Sequence, residues 1–314
     1  MKILSAAFFA LLYINNIGFA QSSAGQTVPV NPPDCKNNPI FMYNLPGINP
    51  AKAAISTSEK KQKGLVVVEL QTPADPNSAR GNTYQHPSWD DAGYLGAFAL
   101  DYDGNIFAVP SPMVSVLYNP QESQNIIYRI DTKNAEMKPF INLPHNAPNN
   151  NYNVQNPFGL IGIFYDCDNH SLYASSVFGS DEQKEIGKIV HIDIQTKQIL
   201  DEFQNIDPFG LAIARSTGEK RLFFGKARTG EVFSLALDSN GNFAGQPRLE
   251  FSLEGLGPRG DDRVRRIKPL ANGDLQVYGL EFYYNLTAPT EKPETLYVFS
   301  YNMMQQKWVL RSIN

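Results

Sequence analysis

The sequence predicts an all-β protein, a β-propeller built from four-stranded antiparallel blades, and three observations carry the prediction. The tetrapeptide Pro-Phe-Gly-Leu occurs at Pro157–Leu160 and again at Pro208–Leu211; a repeat period of about fifty residues is the mark of a propeller blade. Each copy opens a run of short strands rich in β-branched and aromatic residues, separated by Asp, Asn and Gly turns. Beyond residue 20 no long apolar run at helical spacing is found: the nearest, Ile48–Lys63, is polar and broken by proline.

The elements follow in chain order. Residues 1–20 combine Lys2, an apolar stretch Ile3–Tyr13 and a small-residue ending at Ala20, the pattern of a cleavable secretory signal. Asn15 and Asn16 interrupt it as a membrane span, so the mature chain is expected to be secreted or periplasmic, with no span. Residues 21–34 are polar and proline-rich and read as a disordered leader. One propeller domain is expected over 35–314. Within 36–92, Ile40–Tyr43 and Leu65–Leu70 supply one blade, or a blade plus a closing strand.

From Gly93 four similar units can be laid out. The first runs from Gly96–Leu100 through Ile106–Val109 and Ile126–Asp131 to Pro139–Leu143, and the second from Gly159–Phe164 through Leu172–Ser175 and Ile189–Asp193 to Ile199–Phe203. The third comprises Gly210–Ala214, Leu222–Gly225, Val232–Asp238 and Leu249–Leu253; the fourth comprises Val264–Leu270, Leu275–Leu280, Leu296–Tyr301 and Trp308–Leu310. A sheet of this size cannot bury both faces alone, so blades stack around an axis. Five or six blades follow, with six preferred.

Composition narrows the function. The 27 basic and 31 acidic residues give a formal charge of −4 with no long run of either sign, which argues against nucleic acid as a partner. The two cysteines, Cys35 and Cys167, either form one bridge or remain free thiols. A nucleophile elbow, a zinc-binding His-Glu-x-x-His and a phosphate-binding glycine loop are all missing. Asn169-His-Ser171 and Asn285-Leu-Thr287 fit glycan acceptors.

The openings of the four inner strands read Asp90-Asp91, Asn156, Asp207 and Asp261-Asp262. If they converge, Asp91, Asn156, Asp207 and Asp262 suit a hard cation such as Ca²⁺ or Mg²⁺, which can polarise a carbonyl and activate water. Turn formation is the other reading of the same residues. Strand alternation puts Arg263 and Arg265 on one face, where they either grip a carboxylate or phosphate or pair with Asp261, Asp262 or Glu281. The polar segment Pro144–Pro157 can fold over the channel with Tyr152 as its contact. His86, Trp89, Tyr94, Phe158 and Phe209 either line a pocket or pack between blades.

The run from Gly159 to Ile199, with its glycine-leucine opening, a turn at Asp166–Asn169, Leu172-Tyr-Ala and Ile189-Val-His-Ile-Asp193, resembles the six-bladed propellers of the SMP-30/gluconolactonase and NHL-repeat superfamily. The resemblance spans most of Gly93–Leu310 and bears on architecture. In its lactonase members a divalent metal sits at the channel mouth, held by a first-blade Glu and by Asn and Asp residues that open later inner strands; Asn156 and Asp207 stand near those openings. The early Glu-Gly-Pro-x-Trp element is present only as Gln85-His86-Pro87-Ser88-Trp89, without its glutamate. The sequence thus points to a monomeric propeller binding a small molecule or an extracellular protein or glycan at its channel face. The alternative is a divalent-metal-dependent lactonase or esterase.

Overall fold

The computed structural model describes residues 35–57, 62–70, 82–111, 117–144, 156–216, 218–285 and 293–314. The signal segment, the leader and Tyr152 lie outside the described residues. Nineteen strands are present among the described residues, and the helical turns there are short 3-10 segments, among them Pro87–Ala92. No helix among them is long and apolar enough to cross a membrane.

The strands form five antiparallel sheets. The first has three strands, β1 (Ala53–Ser56), β2 (Val66–Glu69) and β3 (Thr83–Tyr84). Four four-stranded sheets follow, each a meander in chain order. They are β4 to β7 (Leu95–Leu100, Ile106–Pro110, Ile126–Ile130, Met137–Asn142) and β8 to β11 (Leu160–Asp166, Ser171–Ser176, Lys188–Asp193, Ile199–Gln204), then β12 to β15 (Pro208–Ser216, Glu219–Lys226, Glu231–Leu237, Phe243–Ser252) and β16 to β19 (Arg263–Pro269, Leu275–Leu280, Thr295–Asn302, Lys307–Ile313). The first strands of successive sheets are neighbours, β4 beside β8, β8 beside β12 and β12 beside β16. This is the propeller arrangement, with first strands innermost. The described residues hold five sheets, where six blades were preferred from the sequence; the region before Tyr94 contributes one sheet of three short strands.

Each contact between sheets is a separate apolar core. Leu65, Val67 and Trp89 join the first sheet to Leu95, Ile106 and Tyr128; Phe107, Val109 and Ile127 pack on Leu160, Tyr165 and Leu172. Ile189 and Tyr173 meet Leu211, Leu222 and Phe224, and Phe223 and Val232 meet Val264, Val277 and Tyr297. A middle blade therefore buries both faces, which is why its strands read as nearly continuous apolar runs. At the axis the backbones come close: a Cβ on Gly162 would lie 2.4 Å from the Phe209 carbonyl oxygen, and one on Gly210 would lie 2.5 Å from that of Arg265. Only glycine permits that approach.

The Asp that recurs at the end of the third strand in three blades has a local cause. Asp131, Asp193 and Asp238 accept the N–H of the residue two positions on, from Lys133, Gln195 and Asn240 at 2.8 Å each. These are Asx turns, which reverse the chain toward the outer strand. Ahead of the first sheet, Cys35 is joined to Cys167 in the β8–β9 turn, with Cα atoms 5.8 Å apart. Phe41 N donates to Thr132 O at 2.8 Å, so this segment runs along the second sheet before entering the first.

Candidate functional site

The repeated tetrapeptide does not sit at equivalent positions. In three blades the residue that opens the inner strand accepts an N–H from the end of the second strand: Ser111 to Tyr94 at 2.8 Å, Val177 to Gly159 at 3.0 Å and Ala227 to Asp207 at 2.8 Å. The structural counterpart of Asp207 is therefore Gly159, not Asn156, and the two copies are three residues out of phase. Just beyond, all four inner strands carry a bulge, between Leu95 and Phe98, Leu160 and Gly162, Pro208 and Leu211, and Val264 and Arg266. Ile161, Phe209 and Arg265 occupy this bulged position, and a bulge re-aims its side chains.

Asp207 is fully buried. One carboxylate oxygen accepts from Ser180 Oγ at 2.5 Å and Gly187 N at 3.1 Å; the other accepts from Tyr284 OH at 2.5 Å and Arg228 Nε at 2.9 Å. Burial is the largest influence on its pKa and raises it, against the lowering effect of these donors and the Arg228 charge. Burial likewise raises the Tyr284 hydroxyl pKa, keeping the phenol a donor. Two blades and the segment after β17 thus meet on a single carboxylate.

The proposed cation ligands do not form a ring. Asn156 is buried, its amide donating to Val177 O and Ser180 O at 2.9 Å each and its oxygen accepting Phe158 N at 2.9 Å. It joins Asp207 only through Ser180. Asp262, also buried, is gripped by Arg259 Nε at 2.5 Å and Nη2 at 3.0 Å and receives Tyr297 OH at 2.8 Å. Asp91 is exposed on the 3-10 turn Pro87–Ala92. Among the described residues no three His, Cys, Asp or Glu side chains are grouped to hold a metal ion. The oxygens of Asn156, Asp207 and Asp262 face N–H and O–H donors, two of them guanidinium groups, and this set does not fit a divalent cation.

What converges instead is aromatic. Phe158, before β8, and Phe209, at the β12 bulge, pack as tilted rings against Phe282, after β17, at the opening end of the inner strands. Phe282 lies 5.2 Å from Phe158, 4.9 Å from Phe209 and 5.4 Å from Tyr284, ring centre to ring centre. Ile161, Val177 and Ala227 complete the patch. Phe158 and Phe282 are only half-buried, whereas Phe209 and Tyr284 are buried. The segment 281–285 therefore crosses from the last blade to the middle ones and is latched there by the Tyr284–Asp207 hydrogen bond.

The arginines are rearranged by the bulge. Arg263 donates to Asp261 O, but Arg265 and Arg266, not Arg263 and Arg265, act together. Arg265 reaches Glu294 at 3.4 Å, Arg266 reaches the same carboxylate at 3.2 Å, and Arg266 stacks on Tyr278 with 3.9 Å to the ring centre. Strict alternation fails because two residues occupy one ladder position.

The other candidates are structural. Trp89 has no exposed surface, donates Nε1–H to Ala135 O at 2.7 Å and packs edge-on against Phe41 and Tyr84, so it is core and not a channel contact. His86 caps the turn at Pro87, accepting Ser88 N at 3.2 Å, and Tyr94 is buried edge-on to Tyr118. Of the two glycan acceptor motifs, Asn169 turns its amide nitrogen inward, buried and without a hydrogen-bond partner. The residues that sequence reasoning missed are Phe282, Tyr284 and Arg266. The aromatic run Phe282–Tyr284, directly after a strand and carrying no strand alternation, was the available signal.

No family model matches the chain, and no curated protein matches it. Among solved structures it is similar to a luciferin-regenerating enzyme at 13% identity, over 84% of this chain and 72% of that one, with a TM-score of 0.51. A glucose dehydrogenase is similar at 14% identity over 73% and 74%, with a TM-score of 0.43. At 13% identity the first likeness shows the propeller architecture alone.

Proposed function

We propose that this protein is an exported propeller that binds a small ligand at the opening end of its inner strands, against the face formed by Phe158, Phe209 and Phe282. The observation that carries the reading is the half-buried pair Phe158 and Phe282, contributed by two different blades and held over a buried, fully bonded Asp207. Apolar surface kept partly open on a rigid scaffold is what a ligand face requires. Export is supported by the Cys35–Cys167 disulfide, since such bonds persist in oxidising compartments.

The test is a thermal-unfolding screen of the mature chain against amphipathic small molecules, because a ligand bound only by the native state raises Tm. A compound whose shift disappears in Phe282→Ala but survives in Tyr102→Ala, at the opposite end of the inner strands, supports the site. A shift equal in both variants places the ligand elsewhere and overturns it.

A further inference from the structure

We infer that Arg265 and Arg266 form a seat for a ligand carboxylate on the innermost strand of the last blade, and that Glu294 is the resident carboxylate a ligand displaces. The inference rests on the channel-face reading in that it names the acidic group of the ligand bound there. Four observations support it. The bulge turns two consecutive guanidinium groups to one side, and both reach a single carboxylate, two positive charges to one negative in the ion pairs among the described residues. The contacts, at 3.4 and 3.2 Å, are long beside the ~2.7–2.9 Å of a charge-assisted bond, so Glu294 spans the two arginines without closing on either.

Position is the third observation. The residue after the bulge is Gly162 in β8 and Gly210 in β12, each pressed on the next inner strand, whereas β16 carries Arg266 there with a side chain 59% exposed. Lys268, two residues on, is exposed as well. Among the described residues, an exposed cationic pair on the inner strand is thus peculiar to this blade among the three. Fourth, the Arg266 plane is held on the Tyr278 ring at 3.9 Å, and a guanidinium fixed in one plane loses little freedom when it binds a planar acid. Glu294 itself shows which chemistry fits: two oxygens in a plane, presented to both arginines.

The probe is citrate, titrated calorimetrically into the purified mature protein at low ionic strength, with inorganic phosphate as the second arm. Replacing Glu294 by Gln frees both arginines and should raise citrate affinity about ten-fold, and Arg265→Gln or Arg266→Gln should lower it about ten-fold. Arg266→Lys, which keeps charge but loses the planar fork, should behave like Arg266→Gln. Equal citrate affinity in the wild type and these variants overturns the inference, as does phosphate binding that matches or exceeds that of citrate. Tyr102→Ala, at the opposite end of the inner strands, retains the arginine pair and should bind citrate as the wild type does. Loss of an apolar ligand in Phe282→Ala tests the aromatic face separately, so either reading can fail alone.

Discussion

Asp207 illustrates how one residue is decided by its donors. Its side chain has no exposure, and its partner Arg228 is 19% exposed. Removing the carboxylate leaves Arg228 Nε and two hydroxyls without their acceptor, while the guanidinium keeps the Glu182 and Asp181 carbonyls, and breaking a buried pair costs about 3–5 kcal/mol. Asp207→Ala should therefore lower the urea midpoint by a corresponding amount. Asp91→Ala, an exposed change, should stay within about 0.5 kcal/mol of wild type. A small effect at Asp207 would mean that the Tyr284 latch carries little of the mouth. The residue type was legible in the sequence, as an acid opening an inner strand. Its role was not, because Ser180, Arg228 and Tyr284 reach it from 27, 21 and 77 residues away.

At the scale of elements, the blades are meanders whose turns are written locally. Asp131, Asp193 and Asp238 bond within two residues, and such contacts are visible in any linear reading. The bulges are different. A bulge is a mismatch between two strands, and its consequence at Arg265 and Arg266 appears only when β16 is laid on β17. The same limit explains the tetrapeptide: an identical sequence three residues out of phase is a repeat in composition but not in register.

The N-terminal segment is tied in by a covalent link rather than by a ladder. Cys35 and Cys167 are separated by 132 residues, and closing a loop of that length restricts the unfolded chain strongly. Loss of the bond in Cys35→Ser should lower stability by about 2–5 kcal/mol. Chemical denaturation with and without reductant checks this: reductant should move the wild-type midpoint toward that of the variant and leave the variant unchanged.

Across the whole molecule, stability should depend on pH through His191. It is fully buried between blades, stacked on Tyr173 at 4.5 Å, with Nε2 2.8 Å from Ser171 Oγ. Burial is the main cause that lowers its pKa below the ordinary 6.5, outweighing the raising effect of the Asn242 hydrogen bond and of Asp166 and Asp201. As pH falls through 6.5 the unfolded chain takes up the proton first, so this contribution to stability is full above that pH and is lost as pH drops toward and through the folded value. Unfolding free energy measured from pH 7.5 to 5 should decline below about 6.5 in the wild type. In His191→Gln the decline should be shallower. An identical slope in both would assign the loss to other groups.

The sequence by itself determined the all-β class, the four repeating meanders and the turn residues between their strands, since alternation, β-branching and Asx turns act over a few neighbours. Tertiary structure decided the rest. It decided how many sheets the described residues make, where Phe282 and Tyr284 land, and which arginines work as a pair. It also turned Asp207 and Asp262 toward donors instead of a common centre. The physical reason is that blade packing and strand register are contacts between residues far apart in the chain, and side chains of one type satisfy a donor, a cation or a turn equally well until their neighbours are in place.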